Sequence, residues 1–115
     1  MAANPVVPTP ELQIHTEKRA EDTIVRGSGR ITSATSDLLQ RTIRGLIPGN
    51  RRIVLDLAEV NYIDSSGLGA LVSVYLAASR AQCVLELANP QPRIRDLFEL
   101  SRLKAVFESH GGYQG

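Results

Sequence analysis

Cysteine and aromatic residues are scarce in this chain: one cysteine, no tryptophan, three tyrosines and two phenylalanines among 115 residues. With Cys83 alone there is no internal disulfide, and nothing calls for an oxidising compartment. The zinc patterns built on several cysteines are excluded as well. Aromatics at 4% leave the core to aliphatic side chains, and a hydrophobic content of 43% supplies enough of them. Charge of one sign is also missing. Thirteen Lys and Arg against twelve Asp and Glu give a net charge of +1, which argues against general nucleic-acid binding and against a polybasic membrane anchor. No apolar run approaches the roughly 18–20 residues of a membrane span. Met1 to Pro10 lacks the basic-then-apolar pattern of a signal peptide. A single cytoplasmic domain is expected, the chain being long enough for one core.

What is present is alternation of strand and helix signals. Pro5, Pro8 and Pro10 suggest that residues 1–10 form a flexible leader, and residues 110–115, rich in glycine, a flexible tail. The folded domain is expected over residues 11–109. Leu12, Ile14 and Thr16 alternate as in a half-buried strand, Glu17 to Asp22 reads as a charged turn, and Thr23 to Arg26 as a second strand. Ala34, Leu38, Leu39, Ile43, Leu46 and Ile47 lie on one helical stripe. Thr32 or Ser33 is the expected cap of that helix, with Asp37 near its positive end and Pro48-Gly49-Asn50 ending it. Ile53 to Leu57 is a nearly continuous apolar run, the mark of a central strand covered on both faces. A second amphipathic helix is expected over Ser65 to Ala81, with Leu68, Leu71, Val72, Tyr75 and Leu76 inward. Cys83 to Leu87 reads as a strand. Pro92 opens a third helix with Ile94, Leu97, Phe98 and Leu100 or Leu103 inward, and Ala105 to Glu108 reads as a last short strand. The order implies a small α/β domain with a mixed, mainly parallel sheet covered by helices.

Function in such sheets collects outside the carboxyl ends of the strands. There the chain places Asp64-Ser65-Ser66-Gly67-Leu68-Gly69 at the start of the second helix. Asp64 suits an N-cap, and Ser65 then stands first in the helix near the positive dipole end. Gly67 and Gly69 suggest exposed backbone that another molecule can approach. A phosphate on Ser65 would be stabilised by the helix N-terminus while changing the surface strongly. By itself the string also fits a plain capping sequence.

The block from Ile53-Val54-Leu55-Asp56-Leu57 to Asp64-Ser65-Ser66-Gly67-Leu68-Gly69, with Pro92-Arg93-Ile94-Arg95-Asp96-Leu97-Phe98 further on, resembles the STAS-domain anti-anti-sigma factors of bacterial partner switching. The resemblance covers nearly all of the folded region, and the Asp-Ser-Ser-Gly-Leu-Gly string is its most specific part. It implies an anti-sigma factor antagonist without enzymatic activity or cofactor. Ser65 would be phosphorylated by an anti-sigma factor that is a GHKL-type serine kinase, and a metal-dependent serine phosphatase would reset the cycle. It further implies a partner-binding surface made of Asp64, Ser65, Ser66, Gly67, Leu68, Gly69 and Thr32. One departure stands out. Where family members often carry a Gly-acid-Leu-Asp pattern, this chain has Gly29-Arg30-Ile31-Thr32.

An enzyme would need a base beside Ser65 or Ser66, and the two histidines, His15 and His110, lie on an early strand and near the tail. The Gly-x-Ser-x-Gly elbow and the phosphate-loop lysine are both missing. Arg93, Arg95, Arg102 and Lys104 interleave with Asp96, Glu99 and Glu108 and read as a solvated face. Cys83 reads as a small core residue. The alternative from another class is a STAS subunit of a lipid- or anion-transport complex that uses the same helix face without phosphorylation.

Overall fold

A computed structural model describes residues 11–101, residue 103 and the backbone of residues 113–114. Strands β1 (Leu12–Arg19) and β2 (Asp22–Ile31) are followed by α1 (Ser36–Leu46), β3 (Arg52–Ile63), α2 (Ser65–Arg80), β4 (Val84–Ala88), α3 (Pro92–Leu100) and β5 (Tyr113–Gln114). The sheet runs β1-β2-β3-β4-β5. Only the β1/β2 pair is antiparallel, so the mixed, mainly parallel α/β architecture expected from the sequence is the one observed.

The outer pair is longer than the residue pattern suggests. Glu17 to Asp22 is not a turn: β1 continues to Arg19, and Arg19 pairs with Asp22 across the short Ala20-Glu21 connection. Glu17 is paired both along its own strand and across to β2, and the second pairing is one that a sequence pattern does not show. Glu17 accepts from Arg26 at 2.9 Å and from Arg19 at 2.9 Å. These two guanidinium groups hold the Glu17 carboxyl down to about 2 from its ordinary value of 4.5.

The centre follows the expected logic. Ile53, Val54 and Leu55 are all buried, and successive residues of a strand face opposite sides, so β3 is covered on both faces. Leu39, Ile43, Leu71, Val74, Leu85, Leu87 and Ile94 complete a mainly aliphatic core, to which Tyr75 and Phe98 add two aromatic rings. Cys83 belongs to it, and burial pushes its thiol pKa up. Among the described residues one ion pair reaches into this interior. Glu86, nearly buried on β4, binds Arg52, which also donates to Asp22 at 3.0 Å, linking three adjacent strands. Both partners raise the Arg52 pKa further.

Several local expectations change. Leu76 is 41% exposed, and Ala70, Val74 and Ala78 take the packing role on α2. Leu100 is 84% exposed whereas Leu103 packs on the core. Ala34 is exposed and precedes α1, which begins only at Ser36. Neither Thr32 nor Ser33 caps it: Thr35 is the N-cap and makes no side-chain capping bond. The threonines instead bond within the preceding turn. The Thr35 hydroxyl accepts from Thr32 N at 2.9 Å and donates to Arg30 O at 2.8 Å, while Thr32 Oγ1 accepts from Ala34 N at 3.2 Å. Short hydroxyl side chains compete in this way with the helix they are expected to cap. Tyr113 and Gln114, placed in the tail by their sequence, form β5 alongside β4. The strand expected at Ala105 to Glu108 lies outside the described residues.

Candidate functional site

The site is built where β2 and β3 end. β3 runs on to Ile63, six residues past the apolar run that marks it in the sequence, and reaches there through two irregularities. Leu57 and Ala58 together stand against Gly27, and Asn61 is an extra residue between the Val60/Gly29 and Tyr62/Arg30 pairs. Bulges of this kind bend and twist a strand and re-aim its end. Asp56 fastens the first one: its Oδ1 accepts from Ala58 N at 3.0 Å and from Asn89 Nδ2 at 3.3 Å. Gln91, at the start of α3, donates to Ala58 O at 2.8 Å. The hydrogen-bonding role of Asp56, open in the sequence, is therefore to stabilise a bulge.

From that end α2 departs at once. Asp64 is its N-cap in extended conformation, and Oδ1 accepts from Gly67 N at 2.9 Å. The Asp64 amide donates to Ile31 O at 3.2 Å, and its carbonyl accepts from Leu68 N at 2.9 Å. Asp64 thus ties the helix to the end of β2 as well as capping it.

Gly67 has a different role from the one expected. It is buried, and a Cβ there would overlap the Ile31 carbonyl oxygen and lie 2.8 Å from Ile63 Cγ2. Its missing side chain lets α2 press against β2; it offers no backbone to a visitor. Gly69, by contrast, is exposed, with nothing within 4 Å of a built Cβ. Ser65 and Ser66 are exposed on the first turn, and Leu68 is half-buried against the core. Thr32 follows Ile31, whose carbonyl Asp64 grips, but it is only 8% exposed and its hydroxyl is engaged by Ala34 N.

Two further residues at this end carried no signal of their own as a pair. Arg30 and Tyr62 are register partners on β2 and β3, and the Arg30 guanidinium carbon sits 4.5 Å above the Tyr62 ring centroid. Only the strand pairing could have joined them. Among the described residues no three His, Cys, Asp or Glu side chains group as a metal site requires, and no helix is long and apolar enough to cross a membrane.

The family model described as STAS domain matches residues 13–112. The chain belongs to the STAS-domain family. The anti-sigma F factor antagonist of Paenibacillus polymyxa is 30% identical to this STAS domain over 94 residues, 80% of each chain. Among solved structures, an anti-sigma factor antagonist from Mycobacterium paratuberculosis superposes with a TM-score of 0.76 at 21% identity, covering 95% of this chain and 92% of that one. The Bacillus cell fate determinant SpoIIAA in its phosphorylated form gives a TM-score of 0.68 at 19% identity, covering 89% of each. The two structural likenesses establish the STAS fold for this chain.

Proposed function

We propose that this STAS domain is an anti-sigma factor antagonist, a cytoplasmic binding protein rather than an enzyme, switched at Ser65. In its unphosphorylated form the surface around the start of α2 docks on an anti-sigma factor that is a GHKL-type serine kinase, and the sigma factor is released. That kinase then phosphorylates Ser65 and ends the interaction, and a metal-dependent serine phosphatase restores it. The observation that carries the reading is the division of labour in the first turn of α2. Asp64 and Gly67 are locked against Ile31, while Ser65 and Ser66 between them stand exposed.

The physics of such a switch follows from charge. A phosphate adds about −1.5 to −2 charges at neutral pH. In the free protein it stays in water beside the amides of α2, where the helix dipole favours it. In a docked complex it must shed water, and an unpaired buried charge costs several kcal/mol. Only about 2.8 kcal/mol is needed for a hundredfold loss of affinity.

The test is incubation with a GHKL-type serine-kinase anti-sigma factor from the same organism, ATP and Mg²⁺, followed by phosphate mapping by mass spectrometry. Ser65→Ala should abolish incorporation and Ser66→Ala should keep most of it. Phosphate found mainly on Ser66 or Thr32 refutes the assignment. In calorimetry, Ser65→Asp should weaken binding of the same kinase at least about tenfold while its Tm moves by a few degrees at most.

A further inference from the structure

We propose that Arg30, laid over Tyr62, is a specificity-determining contact of this docking surface and takes a carboxylate side chain of the anti-sigma factor in a bidentate grip. The inference rests on the docking reading above and adds the chemistry of the partner. Arg30 precedes Ile31, whose carbonyl is gripped by the Asp64 amide, so its strand position lies at the same end of the sheet as Ser65. The residue is exposed, and among the described residues no carboxylate lies within ion-pair distance of it. Its immediate contact is the ring of Tyr62, itself 41% exposed.

Stacking of this kind uses the face of the guanidinium. The N–H donors radiate from its edge in the plane and remain available, and their fork matches a carboxylate better than any other protein group. The ring also limits the rotamers of the arginine before the partner arrives, which reduces the ordering cost of binding. The backbone beneath is equally fixed. Arg30 N donates to Glu11 O at 2.6 Å, and Arg30 O accepts from the Thr35 hydroxyl at 2.8 Å. Gly29, at φ +122°, makes that approach possible, since a Cβ there would overlap the Glu11 carbonyl. An exposed Tyr–Arg pair on a pinned backbone has the composition of an interface anchor. Since the unphosphorylated protein is the docking form, the anion that meets Arg30 is supplied by the partner's side chains.

The experiment measures affinity for a purified GHKL-type serine-kinase anti-sigma factor from the same organism, by calorimetry at low and high salt. Arg30→Glu should weaken binding at least about tenfold at low salt, with a smaller deficit at high salt. Thermal scans of the variant should match wild type, because the side chain is exposed. Charge reversal of one Asp or Glu on the kinase should restore binding to Arg30→Glu and not to wild type. Affinity unchanged or improved in Arg30→Glu overturns the proposal while leaving the Ser65 switch standing. Slower phosphoryl transfer with unchanged affinity also overturns it, and points to a phosphate as the ligand of Arg30. Failure of the wild-type protein to bind the kinase at all overturns both readings.

Discussion

Gly67→Ala is the substitution on which the geometry of the site bears most directly. The added methyl would overlap the Ile31 carbonyl oxygen and press on Ile63 Cγ2 at 2.8 Å. The first obstacle is backbone and the second a buried side chain, so α2 itself must yield. Overpacking of a close contact costs about 1–3 kcal/mol. Moving the first turn also disturbs the bond from Gly67 N to Asp64 Oδ1, and a lost N-cap is worth about 1 kcal/mol. Against this, alanine is a better helix former than glycine by roughly 1 kcal/mol. The net loss is about 1–3 kcal/mol, which for a domain of this size lowers Tm by roughly 5–15 °C. Gly69→Ala is the control: two residues on in the same helix, with nothing within 4 Å, it should hold or raise Tm. Differential scanning calorimetry of the two variants decides the matter. A Gly67→Ala protein that melts within about 2 °C of wild type would refute the close-approach explanation.

Asp64→Ala removes the bond to Gly67 N and should cost about 1 kcal/mol in urea unfolding, whereas Asp64→Asn, which keeps an acceptor, should cost less. Thr32→Asp should preserve its turn, because a carboxylate can accept from Ala34 N as the hydroxyl does, and should speed phosphorylation by a family-type kinase; an unchanged single-turnover rate would show that the kinase is adapted to Thr32. Glu17 titrates lower in the folded protein than its ordinary 4.5, so its contribution to stability is full above that value and is lost as pH falls toward about 2. Acid-unfolding curves of wild type and Glu17→Gln should therefore differ above about pH 5 and converge near pH 2.

Periodicity made the central elements legible because they are packed on apolar stripes or runs: Ile53 to Leu55 on β3, Leu39 and Ile43 on α1, Ile94 and Phe98 on α3. The cap at Asp64 was legible for the same kind of reason, a short acceptor standing directly before an amphipathic helix. What stayed hidden depends on pairing between distant segments. The length of β3 beyond Leu57 requires β2 as a partner and two bulges, neither of which leaves an apolar signature. Glu17 reads as turn-like until Arg26 is seen beside it on the neighbouring strand. Thr32 looks like a cap because its side chain is right for one, but Thr35 and Ala34 claim its bonds first. Gly67 and Gly69 are indistinguishable in sequence; only the position of the Ile31 carbonyl separates a packing requirement from open surface.

That separation bears on how a switch at Ser65 would act. Coupling between a modified surface and a distant region needs an element with two stable arrangements. The start of α2 offers none of the usual slack. Asp64 is bonded to Ile31 behind it and to Gly67 and Leu68 ahead, and Gly67 is wedged against the same carbonyl. Further along, α2 packs Leu71, Val74, Tyr75 and Ala78 into the core. Tilting the helix to accommodate a new charge would disturb all of these contacts together, whereas a phosphate at Ser65 already has water and the amide end of the helix as favourable surroundings. The lower-cost response is for the helix to remain where it is and for the partner to be refused. Under the proposed reading a switch at Ser65 would work at the surface, by the cost of stripping water from a phosphate beside Asp64, and the fold would keep the first turn rigid enough that a partner would meet either a hydroxyl or a phosphate in one fixed place.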